Sequence, residues 1–298
     1  MPVHFPWSVP LSDEHPVIEG LHSANARDVR LPWFSHFSAN TLASHLTAHP
    51  DMALWVPKTG EYAVAEPWRR RSEIAQLVEV TARKGKPALL RALLDRLREM
   101  DYRMVVISDE SWHDDARLYS SLGFAHLEKV VYFQKDLRGH WEETLPSGLP
   151  DLQFSLLSLR ELDVLLEVDH ASFPWLWWNS RDELEMYVQM GGVYVYGAFL
   201  GGEPIGYASF TLYNGWAHLD RLAVVEQHHG KGYGASQLAH VLQAMYLLKA
   251  SSATLSTQQN NLKSQRLYQR FGFKLAPDMM NLYGLELGRE AKSAKRET

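Results

Sequence analysis

The stretch WAHLDRLAVVEQHHGKGYGASQLAHVLQAMYLLKA, residues 216–250, decides how this chain folds. Its first ten residues are apolar and β-branched enough to predict a strand, and Asn214-Gly215 before them is typical of a two-residue hairpin turn. Glycines at 230, 232 and 234 follow, and then apolar residues at helical spacing. A turn without Cβ atoms at a helix N-terminus exposes backbone N–H groups, so the stretch predicts a phosphate or pyrophosphate site.

Two common phosphate-binding turns do not match this one. A P-loop ends in Gly-Lys-Ser or Gly-Lys-Thr, whereas this turn ends in Gly-Tyr-Gly-Ala. A dinucleotide-binding fingerprint requires glycine at position 235 or 237, where Ala235 and Gln237 stand. The spacing therefore argues against both classes.

Composition narrows the class of protein further. The chain has 298 residues, enough for two domains, and its net charge of −5 argues against a nucleic-acid surface. It contains no cysteine, which excludes disulfides, thiolate zinc sites and a cysteine nucleophile. The first residues lack the basic and apolar regions of a leader peptide, and no apolar run reaches membrane-spanning length. We expect a soluble cytoplasmic protein with no membrane partner, either a monomer or a homodimer.

Two signatures in the second half resemble those of the GNAT N-acetyltransferase superfamily. Residues 229–234, HGKGYG, are similar to its acyl-CoA motif Gln/Arg-x-x-Gly-x-Gly/Ala, with His229 in place of the usual Arg or Gln. Residues 261–273, NLKSQRLYQRFGF, resemble its Asn-x-x-Ala/Ser-x-x-Leu-Tyr-x-x-x-Gly-Phe segment. Two motifs about 30 residues apart are more specific than either alone. The resemblance implies an α/β (α+β) fold of two tandem GNAT-like domains, each a mixed, mostly antiparallel central sheet flanked by helices.

An internal repeat supports the tandem arrangement. Residues 117–124, RLYSSLGF, match residues 266–273, RLYQRFGF. We expect a degenerate GNAT-like domain over 1–139, a linker over 140–151, an acetyl-CoA-binding domain over 152–287 and a flexible tail over 288–298. At the position of the glycine turn, the first copy has only one glycine, Gly85, and Pro87 there lacks an N–H. We therefore expect this copy to have lost its acyl-CoA site. We also expect Tyr119 to be a packing residue.

The resemblance also implies which residues hold acetyl-CoA, and it implies no metal. Backbone groups of 222–224 would hold the pantetheine arm, amides of 230–235 would bind the pyrophosphate with added charge from Lys231, and Asn261 would hydrogen-bond the arm. The full set of implied cofactor-binding residues is Leu222, Ala223, Val224, His229, Gly230, Lys231, Gly232, Tyr233, Gly234, Ala235, Asn261 and Ser264.

The candidate catalytic residues are an acid and a base. Tyr268 is the expected general acid, since its phenol can donate a proton to the leaving sulfur. In the predicted strand, the period of two places His218 and Asp220 on one face and Arg221 on the other. Histone-type members of the superfamily have a glutamate base at the position of His218. Either His218 or Asp220 is a candidate base, and Asp220 could instead orient His218 or bind a cationic amine.

Other aromatic and histidine residues have two interpretations. Trp175, Trp177 and Trp178 either line an acceptor pocket or pack between the two copies. His228, His229 and His240 suggest a metal site, but we find no H-x-x-x-H with a partnering carboxylate and expect no metal.

The sequence therefore predicts an N-acetyltransferase that moves an acetyl group directly from acetyl-CoA to the primary amine of a small metabolite. A protein or peptide α-amine is an alternative acceptor, because a loop like residues 173–178 occurs in ribosomal-protein acetylating relatives. A non-catalytic acyl-CoA-binding sensor is the alternative from another functional class.

Overall fold

The computed structural model describes residues 16–81, 85–110, 115–139 and 151–288. The chain divides into two compact units, Met1–Glu66 with Leu77–Asp101, and Pro67–Gln76 with Tyr102–Thr298. Most of the predicted linker and nearly all of the predicted tail lie outside the described residues. The domain limits expected from the repeat stay a prediction.

The first unit contains short strands and two helices around a small core. Ser38 begins the first helix, where its side chain accepts a hydrogen bond from the N–H of Thr41. Strands β1, β2 and β3 pair antiparallel in that order, and Leu42, Trp55 and Tyr62 are among the core residues. The elements are β1 (Glu19–Gly20), α1 (Ala39–Ala48), β2 (Ala53–Val56), β3 (Glu61–Pro67), β4 (Ile74–Val80) and α2 (Lys86–Glu99), and β4 spans the boundary between the units.

One statement made from the sequence is wrong in this unit. His45 and His49 form an H-x-x-x-H pair on α1, and Glu66 supplies the carboxylate that no such pair was expected to have. One ligand-type atom from each lies within 4.8 Å of the other two. The pair was overlooked because Glu66 is distant in sequence and reaches α1 only through β3.

The second unit is built on one mixed sheet. Its strand order is β5-β12-β6-β11-β10-β9-β8-β7, and all neighbours are antiparallel except the parallel pair β10 and β11. The strands are β5 (Met104–Glu110), β6 (Ala125–Asp136), β7 (Leu152–Leu156), β8 (Val193–Leu200), β9 (Glu203–Tyr213), β10 (Trp216–Val224), β11 (Ser252–Gln258) and β12 (Lys274–Glu286). The helices are α3 (Ala116–Ser121), α4 (Leu162–Ser172), α5 (Arg181–Gln189), α6 (Tyr233–Leu247) and α7 (Leu262–Arg270).

The closing strands of the two sequence repeats are exchanged in this sheet. Each repeat runs from an Arg-Leu-Tyr helix into its last strand, α3 into β6 and α7 into β12. Strand β6 pairs with β11, whereas β12 pairs with β5 on one side and β6 on the other. Both repeats therefore contribute strands to the same sheet.

Two irregularities of β10 shape the middle of the sheet. The register against β9 shifts between Leu219 and Arg221, so Asp220 is the extra residue of a β-bulge. Pairing with β11 covers only the first four residues of β10 and ends at Leu219. Beyond that point β10 stays paired with β9 and β11 with β6, so the two parallel strands part.

Helices cover the sheet through two apolar clusters. Residues of α6, such as Leu238 and Val241, belong to one cluster, and residues of α4, such as Leu165, belong to the other. The bulge shifts the alternation of faces on β10, because Leu219 and Leu222, three residues apart, both lie at the first cluster, and Ala223 belongs to the second. No helix among the described residues is long and apolar enough to span a membrane.

Candidate active site

A cleft of about 770 Å³ opens where β10 and β11 part. One wall is the end of β10, and the other is the end of β11. The glycine turn and α7 complete the lining. Of the residues that the sequence implies for acetyl-CoA, those in the lining are Leu222, Ala223, Val224, His229, Gly230, Gly232, Tyr233, Gly234, Ala235, Asn261 and Ser264. Lys231 is exposed and does not line the cleft.

The glycine turn has the conformation that its sequence predicts. Gly230 and Gly232 have φ angles of +77° and +88°, which other residues rarely adopt, and Gly232 directly precedes α6. No side chain caps this helix, so its first N–H groups are not bonded to a capping group. His229 donates from Nε2 to the carbonyl of Val224 at 2.7 Å, which ties the turn to the end of β10.

A close contact fixes the backbone of β10 beside the turn. Gln237 on α6 donates to the carbonyl of Ala223 at 3.1 Å. A Cβ atom on Gly206 of β9 would lie 2.3 Å from that oxygen and 2.6 Å from Gln237 Nε2. Only glycine fits at 206, and the contact holds in place the strand that resembles the pantetheine-binding segment. Neither Gly206 nor Gln237 was predicted to support the site.

Tyr268 reaches the cleft from α7 and is otherwise buried. Its ring packs between Phe133 and Phe273, with centroids 6.1 Å away in each case. Burial raises the pKa of the Tyr268 phenol to about 12, although a hydrogen bond with Ser264 lowers it. The phenol therefore keeps its proton at neutral pH and is able to donate it.

Asn261 supports the same helix. Its Oδ1 accepts from the N–H of Ser264 at 3.2 Å and so caps α7, while Nδ2 lies 3.4 Å from Thr257 Oγ1. Asn261 thus lines the cleft and also fixes the start of the helix that carries Tyr268.

Asp220 lies in the cleft wall at the bulge. Its Oδ2 accepts from the Tyr187 hydroxyl at 2.6 Å and from the Thr211 hydroxyl at 2.8 Å. Burial raises the pKa of Asp220 above its ordinary value, and these two donors and the charges of His218 and Arg221 oppose the rise. The result is a carboxylate held in a fixed position with a raised affinity for a proton.

The expectation that Asp220 and Arg221 lie on opposite faces of β10 is wrong. Asp220 contacts Tyr187 of α5, and Arg221 NH2 contacts the carbonyl of Trp177, next to α5, at 2.8 Å. Because the bulge inserts a residue, the alternation of faces does not continue through it. Arg221 therefore lowers the pKa of Asp220 directly.

His218 lies outside the described lining of the cleft. Its Nδ1 is 2.8 Å from Thr254 Oγ1, and that hydroxyl donates to the carbonyl of Ala217 at 3.3 Å. Since the hydroxyl has one proton, it accepts from Nδ1–H, and Nε2 is the basic nitrogen of this ring. Of the two candidate bases, the structure brings only Asp220 to the cleft wall beside Tyr268.

The three tryptophans take three different positions. Trp177 lines the cleft and donates from its indole to Glu128 at 2.9 Å. Trp178 stacks on His170 with centroids 4.4 Å apart, and Trp175 lies under the guanidinium of Arg71 at 4.4 Å. Trp177 is therefore the only member of the group in the described lining.

Two arginines in the cleft wall were missed. Arg69 NH1 donates to Asn179 Oδ1 at 2.7 Å, and Arg221 NH2 donates to the same oxygen at 3.0 Å. Burial and the charge of Arg221 together lower the pKa of Arg69 to about 10, and the charges of Glu183 and Asp169 oppose this change. Sequence spacing carries no signal for this pair, because Arg69 belongs to the first repeat. Other lining residues missed were Glu128, Val130, Ser172, Phe173, Pro174, Leu219, His228, Ser256, Thr257, Gln258, Asn260, Lys263, Arg266, Leu267 and Arg270.

Comparisons with known proteins agree with this geometry. Residues 159–273 match the model of the Acetyltransferase (GNAT) family. A spermine/spermidine N(1)-acetyltransferase of Bacillus subtilis is 36% identical over 87 residues, 26% of this chain and 57% of that protein. The chain thus spans little more than half the length of this curated relative.

Solved structures show the same fold over most of the chain. A GCN5-related N-acetyltransferase from Sphaerobacter thermophilus has a TM-score of 0.64 at 15% identity, covering 92% of this chain and 96% of that one. A tandem GNAT protein from the clavulanic acid biosynthesis pathway has a TM-score of 0.61 at 15% identity. The match covers 91% of this chain and 98% of that one. Residues 159–273 thus match the acetyltransferase (GNAT) family, and most of the chain shares the fold of a tandem GNAT protein.

Proposed function

We propose that this chain transfers an acetyl group from acetyl-CoA to the primary amine of a small metabolite. The observation that carries the proposal is the cleft between the parted strands β10 and β11, with a glycine turn in its lining and Tyr268 in its wall. Family membership of residues 159–273 supports the reaction class. The second repeat, 152–287, is the proposed catalytic domain, and the first repeat, 1–139, is proposed to bind no acetyl-CoA of its own.

The residues fit the co-substrate that the family implies. Positive φ at Gly230 and Gly232, and an uncapped first turn of α6, present N–H groups to a diphosphate without Cβ atoms in the way. The end of β10 is free of β11 and offers backbone groups to the pantetheine arm. Lys231 at the surface would add positive charge at the rim, and no metal is required.

Acyl transfer then needs two proton movements. The amine nitrogen attacks the thioester carbonyl, the new C–N bond forms, and the C–S bond breaks. Asp220 accepts the proton that the amine loses, and the Tyr268 phenol supplies a proton to the departing sulfur. A buried phenol and a carboxylate with a raised pKa suit these opposite roles.

The base assignment is tested by substituting the two candidates separately. Asp220→Asn keeps an acceptor for the Tyr187 and Thr211 hydroxyls but cannot take a proton, so we expect kcat/KM to fall about 10²- to 10³-fold. His218→Gln should change kcat/KM little. Because the pKa of Asp220 is raised, wild-type kcat/KM should fall as pH falls through that raised pKa. The Asn variant should not show this fall. A larger loss in His218→Gln would reassign the base.

A peptide α-amine is the second candidate acceptor. Phe173 and Pro174, from the loop that resembles ribosomal-protein acetylating relatives, lie in the cleft lining. The curated relative suggests polyamines instead, since its name specifies spermine and spermidine. The acceptor screen should therefore include small amines, polyamines and short peptides.

A thiol-release assay tests the proposal as a whole. The chain has no cysteine, so a thiol-reactive dye reports CoA without protein background. Turnover with an amine above the hydrolysis control would support the transferase. Acetyl-CoA binding without turnover on any acceptor would favour the sensor instead, and calorimetry should give one acetyl-CoA per chain.

A further inference from the structure

Two guanidinium groups converge in the cleft wall on a single neutral oxygen. Arg69 NH1 and Arg221 NH2 both donate to Asn179 Oδ1, at 2.7 and 3.0 Å. Arg221 NH2 also donates to the carbonyl of Trp177. Amide and carbonyl oxygens satisfy N–H donors but carry no full charge, so these contacts leave two positive charges beside each other.

A buried carboxylate lies beside this pair. Asp169 is fully buried and accepts from the Tyr207 hydroxyl at 2.5 Å and from the N–H and Nδ2 of Asn179 at 2.9 and 3.1 Å. Its Oδ1 lies 3.9 Å from Arg221 NH1, an ion pair without a hydrogen bond, so it offsets one positive charge of the pair. Arg69 Nε is buried and has no acceptor among the described residues.

Both guanidinium groups are held in place by aromatic rings. Arg69 lies 5.4 Å from the ring centroid of Trp68 and 5.3 Å from that of Trp177, and Arg221 lies 4.3 Å from that of Phe173. Ring faces attract cations and do not neutralise them. The pair is therefore fixed before any ligand arrives.

The backbone at Arg69 is strained. Arg69 and Arg70 have φ angles of +52° and +54°, a conformation that costs roughly 1–3 kcal/mol at each non-glycine residue. Such strain concentrates at functional sites, and here it directs one guanidinium into the cleft while Arg70 remains exposed. A turn whose only role was to join β3 to β4 would not need it.

We propose that the acceptor amine carries a carboxylate, and that Arg69 and Arg221 bind it. The proposal rests on the function proposed above, since it takes this cleft as the site of acetyl transfer. A guanidinium offers two parallel N–H groups that match the two oxygens of a carboxylate. Asp220 lines the same cleft with the opposite charge, so the lining is complementary to a molecule with an ammonium group and a carboxylate. A polyamine has only positive charges, which the arginine pair repels.

The test uses acceptors that differ only in the carboxylate. Lysine is compared with cadaverine and phenylalanine with phenethylamine in the thiol-release assay, with spermidine as the polyamine. We expect kcat/KM to be at least about tenfold higher for the carboxylated member of a pair, because a charge-assisted hydrogen bond contributes a factor of this order. Equal or better turnover of the uncarboxylated members or of spermidine would overturn the proposal.

A matched pair of variants locates the binding site. Arg69→Gln should raise KM for a carboxylated acceptor about 10- to 100-fold and bring the ratio of kcat/KM within each pair toward one, while KM for acetyl-CoA stays unchanged. Arg70→Gln is the control, because Arg70 shares the strained turn but is exposed, pairs with Glu183 and does not line the cleft. Equal losses in both variants would overturn the proposal in favour of a structural turn.

Failure of the two proposals can be told apart. If no amine is acetylated, the transferase is overturned, and calorimetry of lysine and phenylalanine against the protein saturated with CoA decides the carboxylate site. Binding that Arg69→Gln weakens and Arg70→Gln does not would support the site. Absent binding, or binding that is the same in all three proteins, would overturn it.

Discussion

Helices α3 and α7 share one local sequence and one local structure. Both carry Arg-Leu-Tyr and lead through a Gly-Phe pair into a strand. The N–H of Phe124 donates to the carbonyl of Tyr119 at 3.0 Å, and the N–H of Phe273 donates to that of Tyr268 at 3.1 Å. The repeat has therefore preserved the backbone at both places.

The surroundings of the two tyrosines differ. Tyr268 lines the cleft, whereas Tyr119 packs against Tyr283 with centroids 5.2 Å apart and does not line it. Four residues before each tyrosine stand Ser264 and Asp115. Burial raises the pKa of both phenols; Ser264 lowers that of Tyr268 by hydrogen bonding, and the charge of Asp115 raises that of Tyr119 further.

The comparison teaches that a repeated motif specifies geometry and not chemistry. Tyr268 is next to an opening because β10 and β11 part in front of α7. The exchange of the closing strands places Tyr283 of β12 against Tyr119, so α3 faces a packed ring. The function proposed for Tyr268 depends on these neighbours rather than on Arg-Leu-Tyr itself.

The largest effect should come from removing each phenol in turn. Tyr268→Phe deletes the proposed acid and keeps the ring, so we expect kcat to fall about 10²- to 10³-fold while acetyl-CoA affinity, measured by calorimetry, changes little. Tyr119→Phe is the matched control and should leave kcat within about twofold. Turnover equal to wild type in Tyr268→Phe would remove the acid assignment, and a comparable loss in Tyr119→Phe would show that the phenols act structurally.

The elements around the glycine turn could be predicted because their signals are local. The Asn214-Gly215 turn has φ angles of +49° and +79°, as its dipeptide predicts. Helix α6 begins directly after Gly232, and Gly234, the last of the three spaced glycines, lies in its first turn. Tyr268, which lines the cleft, was singled out because the helix that carries it has a recognisable motif.

The part of the cleft wall that contains Asp220, Arg221 and Arg69 could not be predicted because its geometry is not local. Asp220 and Arg221 were assigned to opposite faces since a bulge is invisible to a period-two pattern. Arg69 and Glu128 belong to the first repeat and reach the wall only through the fold of the second unit. Strand pairing at long sequence separation, which decides both, leaves no periodic signal.

A smaller effect should follow from making α7 resemble α3 at one position. Ser264→Asp introduces the charge that Asp115 has in α3, which should raise the pKa of Tyr268 above about 12 and weaken it as an acid. We expect kcat to fall about tenfold. Ser264→Ala removes only a hydrogen bond worth about 1 kcal/mol, so a loss of roughly fivefold is expected.

Steady-state kinetics with acetyl-CoA at saturation separates the two Ser264 variants from a binding defect. Because Ser264 also lines the cleft, KM for acetyl-CoA is measured alongside kcat. If Ser264→Asp changed only KM, or if Ser264→Ala lost more activity than Ser264→Asp, the electrostatic account of the difference between α3 and α7 would be wrong.

The smallest effects should come from the glycines that end the two helices. Gly123 and Gly272 have φ angles of +92° and +78°, so alanine at either should cost roughly 1–2 kcal/mol of unfolding free energy. The nearest atom to an added Cβ is Leu285 Cδ1 at 3.3 Å for Gly123 and Lys135 Nζ at 3.0 Å for Gly272, both ends of side chains that can move. The cost of the left-handed backbone should therefore dominate the loss of unfolding free energy and should be equal in the two variants.

Thermal unfolding and kinetics together make this last comparison informative. Each variant should lower Tm by about 2–6 °C, because the cost of the left-handed backbone is the same at both helix ends. Only Gly272→Ala should also reduce kcat, since it shifts the end of the helix that carries Tyr268. Gly272→Asn and Gly123→Asn, which tolerate positive φ better, should recover part of each loss. Equal losses of kcat in the two alanine variants would mean that α3 supports the reaction as directly as α7, which would remove the distinction between the two helices.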